Sequence, residues 1–65
     1  MTFYIGINEE SFESAKNKDP IPASLVICVI DVSLDSMRKG IITGFSIYNE
    51  DGDVFYCQSS EARAA

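Results

Sequence analysis

The side chains that most often carry catalysis or hold metal are scarce here. The 65 residues include no histidine and two cysteines, Cys28 and Cys57. Proton transfer at neutral pH would fall to carboxylates, and nucleophilic attack to thiols with no imidazole to activate them. Both cysteines stand in apolar, strand-like runs without CxxC spacing, so they read as buried, reduced thiols rather than a redox pair. A structural zinc would need its other ligands from carboxylates or a second chain.

The densest polar cluster, Asn49-Glu50-Asp51-Gly52-Asp53, places oxygens at alternate positions as a calcium loop does. The register excludes that reading. With Gly52 as the sixth-position glycine, Ile47 takes the first place and Gln58 the twelfth, so the first carboxylate and the bidentate glutamate are missing. Glu50, Asp51 and Asp53 are expected to form an acidic, solvated turn. Gly40 and Gly44 fit neither a P-loop nor a dinucleotide fingerprint. Asp31 interrupts the longest apolar run; buried there it would have a raised pKa and a function or a partner, whereas at a strand end it would face water, Arg38 or Lys39. The chain is expected not to be an enzyme, with no catalytic, cofactor-binding or metal-binding residue and no cofactor.

The elements that would position these groups follow from pattern. Phe3, Ile5 and Ile7 alternate with Thr2, Tyr4 and Gly6, a strand over 2–7. Asn8 can cap a short helix over 9–17, with Glu9 and Glu10 at its positive end. Its apolar edge is Phe12 and Ala15, so it must dock through Phe12. Pro20 and Pro22 make 17–22 a connector. The β-branched run from Ala23 to Val32 predicts a central strand covered on both faces, and 33–40 a polar loop with at most one helical turn. Residues 41–48 and 54–58 predict two more strands, joined at Asp51-Gly52, the strongest hairpin signal in the chain.

This is an α+β reading, β-α-β-β-β, with a small antiparallel sheet of about four strands and one short helix; an all-β meander is the alternative, decided by 9–17. A two-residue turn puts Tyr48 opposite Phe55 and Ile47 opposite Tyr56; a four-residue loop shifts the pairing by two and keeps the faces. One face then carries Ile41, Phe45, Ile47, Val54 and Tyr56, the other Ile42, Gly44, Ser46, Tyr48, Phe55 and Cys57. One short helix covers only one of them, so Ile42, Tyr48, Phe55 and Cys57 are expected to form an interaction face.

Composition sets the class of partner. With 46% hydrophobic residues the chain is globular rather than disordered. At this length it makes one domain, 1–65, hiding only about 60% of its unfolded surface; the tail 59–65 is expected to fray. Ten acids against five bases give a net charge of −5, which disfavours nucleic acid. No 18-residue apolar run exists and the N-terminus lacks the basic start of a secretory signal, so the expectation is cytoplasmic, with no membrane partner. The expected partner is a host or phage protein, or a second copy in a homodimer. An acidic DNA-mimic inhibitor of a DNA-binding host protein is the alternative, weakened because the acids do not line one element.

The stretches Met1-Thr2-Phe3-Tyr4-Ile5-Gly6-Ile7, Pro22-Ala23-Ser24-Leu25-Val26-Ile27 and Arg38-Lys39-Gly40-Ile41-Ile42-Thr43-Gly44-Phe45-Ser46-Ile47-Tyr48 together resemble small uncharacterised proteins encoded by lambdoid prophages of enteric bacteria. The resemblance implies a bacterial cytoplasm and an accessory phage gene. It transfers no functional residue, because these are strand and turn segments. Many such proteins act by binding a host protein, which favours an interaction role.

Overall fold

Alternation of apolar and polar residues builds β1, Thr2–Ile7, as expected. In the computed structural model, which describes residues 1–60, it is followed by α1 (Phe12–Ala15), β2 (Ile21–Pro22), a 3-10 turn (Ala23–Leu25), α2 (Val26–Arg38), β3 (Gly44–Tyr48) and β4 (Val54–Ser59). The four strands form one antiparallel sheet in the order β2-β1-β3-β4. The α+β class and the four-stranded antiparallel sheet stand as expected. Of the tail, Ser59 closes β4 and Ser60 donates its N–H to the Thr43 carbonyl at 2.9 Å; the rest, 61–65, lies outside the described residues.

The segment expected as a central strand over 23–32 is instead helical, and the loop expected over 33–40 is the second half of the same helix. Spacing outweighs β-propensity. Val26, Val29, Ile30, Ser33, Leu34 and Met37 recur at i, i+3, i+4, i+7, i+8 and i+11, and these residues turn toward the sheet. The polar half is stabilised locally: Asp35 faces Arg38 at 3.4 Å and Lys39 at 3.0 Å. Arg38 suits the negative end of the helix dipole. Gly40 at φ +77° ends the helix; its N–H reaches the Met37 carbonyl (3.0 Å) and the Ile41 N–H the Ser36 carbonyl (2.9 Å), a Schellman cap. That cap takes up Gly40 and Ile41, so β3 starts at Gly44 rather than Ile41.

The first helix is shorter than expected because Asn8 does other work. Asn8 adopts φ +61°, and its Oδ1 accepts from the Thr43 N–H (2.7 Å) and hydroxyl (2.9 Å), while its N–H donates to the Gly44 carbonyl (2.7 Å). The end of β1 is thereby tied to the start of β3. Ser11 caps α1 in its place, accepting from the Ser14 N–H at 3.4 Å.

Phe3, Ile21, Val26, Phe45 and Ile47 form the buried core, flanked by Ile5, Ile7, Val29, Ile30, Leu34, Met37, Ile42 and Tyr56. This core lies between α2 and one face of the sheet. On the opposite face α1 docks through Phe12, as its composition requires: the ring meets Tyr4 at 5.9 Å and Tyr48 at 5.5 Å, both edge-on. Each face thus has a helix of its own.

Candidate functional site

The hairpin puts the acidic residues at its tip. Asn49 Oδ1 accepts from the N–H groups of Asp51 (2.9 Å) and Asp53 (3.0 Å), and its carbonyl accepts from the Gly52 N–H at 3.1 Å. Gly52 takes φ +91°, which glycine adopts at little cost. Glu50, Asp51 and Asp53 are exposed, the solvated turn expected. Among the described residues no three of His, Cys, Asp and Glu gather as metal ligands. Asp31 stands on the outer side of α2 and is exposed, so it is not a buried acid in a strand. Cys28 and Cys57 are free thiols as expected, but both are exposed rather than buried, Cys28 on α2 and Cys57 on an outer strand.

The four residues expected to share one sheet face are divided. Ile47 pairs with Tyr56, in the register of the shorter turn. Three residues, 50–52, close the hairpin, since the Asn49 N–H donates to the Asp53 carbonyl at 2.9 Å, and a bulge near Phe55 absorbs the one-residue offset. Tyr48 therefore pairs with Val54 rather than Phe55, and the Phe55 ring lies against core residue Phe3 at 4.9 Å. Ile42 packs on the core. Tyr48 and Cys57 remain on the α1 side, where Tyr48 is half-buried beneath Phe12 and donates its hydroxyl to the Glu10 carbonyl at 3.0 Å.

Glu10 is the clasp of that cover. Its Oε1 accepts from the Ile7 N–H at 3.1 Å and from the Lys18 ammonium. The Lys18 bond, then the Ile7 amide, hold its carboxyl below the usual range. A Cβ at Gly6 would lie 2.8 Å from the Glu10 carbonyl oxygen, so the close approach of the 8–11 segment requires glycine there.

The surface that pattern reading missed is α2 itself. Leu25 is 49% exposed, Ile27 67% and Val32 66%. Leu25, Cys28, Val29, Val32 and Ser33 line an open apolar depression of about 250 Å³. The outer side of a surface helix is normally polar, yet here Leu25, Cys28 and Val32 are exposed beside Asp31. The signal was in the run 25–32, once read as helix: its apolar positions exceed what one buried stripe can use. Among the described residues no helix is long and apolar enough to cross a membrane. No family model, curated protein or solved structure shows a significant match to the chain.

Proposed function

We propose that this protein is a small protein-binding module that presents the outer flank of α2 to another protein, in the manner of the accessory phage products that its sequence resembles. The observation that carries the reading is the solvent exposure of Leu25, Cys28 and Val32 around the apolar depression. Monomeric proteins seldom leave such residues contiguous, and burying a valine, leucine or isoleucine fully contributes about 1.5–3 kcal/mol each. Leu25, Cys28 and Val32 fall at i, i+3 and i+7, the spacing that receives the apolar edge of a second helix. Asp31 lies beside them and the whole chain carries a charge of −5. The partner of this reading is an amphipathic helix with an aliphatic stripe and basic flanks.

Parallel capture from bacterial lysate on immobilised wild type and Val32→Lys tests it. A basic-flanked helical protein held by wild type, lost with Val32→Lys and kept by the Glu50→Gln, Asp51→Asn, Asp53→Asn variant supports the proposal. A protein held equally by Val32→Lys, or released by moderate salt and by neutralising the turn, assigns binding to the acidic tip and refutes it.

A further inference from the structure

The two outer strands of the sheet are protected unequally. β2 is two residues long and lies between Pro20 and Ala23, ending in Pro22; prolines lack the N–H that a neighbouring strand needs. β4 runs for six residues, Val-Phe-Tyr-Cys-Gln-Ser, with no charge and no proline. Charge and proline usually keep outer strands apart; β4 has instead the bulge near Phe55, and Tyr56–Ser59 beyond it pair with β3 in regular register. The hydrogen-bond phase shows which groups face outward. The Ser60 N–H donates to the Thr43 carbonyl, so counting along the antiparallel register makes Phe45/Gln58 and Ile47/Tyr56 hydrogen-bonded pairs and Ser46/Cys57 a non-bonded one. The Cys57 N–H and carbonyl therefore point away from β3, into the open edge.

We propose that β4 pairs antiparallel with β4 of a second copy across a twofold axis at Cys57, joining two sheets into one. Three observations favour this occupant. α2 stops short of covering β4: Phe55, on the α2 side of the sheet, is 56% exposed, and a groove of about 300 Å³ bounded by Leu34, Met37, Arg38 and Gln58 separates helix from strand. A twofold neighbour brings its own β4 and α2 to that gap. Charge selects the direction. Parallel pairing would set the two acidic tips side by side, whereas antiparallel pairing about Cys57 places Asp51 six residues from the axis in each copy. At about 3.3 Å per residue the tips are then roughly 40 Å apart, several times the screening length of about 8 Å. Length is sufficient. Six residues at about 3.3 Å each offer roughly 20 Å of edge, the usual length of a paired strand.

This contact uses a different surface from the outer flank of α2, and its test is separate. Sedimentation equilibrium of the full chain, up to about 1 mM, is expected to show a dimer whose Kd rises at least about tenfold in Cys57→Lys, where two ammonium groups would oppose each other across the axis. In a hydrogen-bonded antiparallel pair the Cys57 Cα atoms are about 5.5 Å apart, so a short bis-maleimide should bridge two copies of wild type and of Cys28→Ser but not of Cys57→Ser. A monomer at every concentration overturns the proposal. So does a dimer bridged only through Cys28, which would place the self-contact on α2.

Discussion

Replacing Val32 by lysine separates a helix with an uncovered outer side from a buried strand more sharply than any other single change. Val32 is 66% exposed on α2, so about a third of its side chain is shielded, worth roughly 0.5–1 kcal/mol of the 1.5–3 kcal/mol for full burial. Lysine recovers most of that. Its methylene stem lies along the same surface, and its helix propensity exceeds that of valine by a few tenths of a kcal/mol. The expected change in folding free energy is therefore within about 0.5 kcal/mol in either direction. With a urea dependence of about 1 kcal/mol per molar for a protein this small, the unfolding midpoint should move by no more than about 0.5 M. Were 23–32 a central strand covered on both faces, the same lysine would bury an unpaired ammonium at a cost of several kcal/mol and abolish folding. Urea titration followed by far-ultraviolet circular dichroism reads the difference. A loss above about 2 kcal/mol would refute the reasoning.

Other perturbations report on the parts that position this surface. Ile47→Ala, at a fully buried core site, should cost about 2–5 kcal/mol by urea titration. Gly40→Ala meets no neighbouring atom within 4 Å, so its cost should be the left-handed conformation alone, about 1–2 kcal/mol, seen as a lower melting temperature with an unchanged core. Glu10 has a depressed carboxyl pKa in the folded state, chiefly through Lys18. Its contribution is present above the unfolded value of about 4.3 and is lost as pH falls through the lower folded value. Glu10→Gln should therefore flatten the acid limb of the stability curve, and unchanged acid sensitivity would remove Glu10 from that role. In the parent, tyrosine fluorescence should report Tyr48 leaving Phe12 over the same acid range.

Local signals were legible where one interaction decided the conformation. The alternation of Phe3, Ile5 and Ile7 and the Asp51-Gly52 reversal each specify a strand or turn from neighbours alone, and Phe12 was the one large apolar group by which α1 could dock. The long helix was hidden because Ile27, Cys28 and Val32 are apolar too, which fills the gaps in the i, i+3, i+4 pattern and imitates a strand covered on both faces. Arg38-Lys39-Gly40 was a readable helix end, basic last turn and then glycine. The division of the expected interaction face was not readable. It depends on the bulge near Phe55, which arises where the three-residue hairpin loop meets the register that Ile47 and Tyr56 prefer. Tyr48 was recognised as an aromatic on the second face, but its cover comes from the 8–11 segment, held by Glu10 through contacts distant in sequence.

Carbon chemical shifts of the folded chain test most directly that Val26–Arg38 is a helix keeping an apolar side in water. Cα resonances from Val26 to Arg38 should lie downfield of random coil without a break, returning at Gly40. Upfield shifts across Leu25 to Val32 would mean a strand, leaving the proposed binding flank without a helix to carry it.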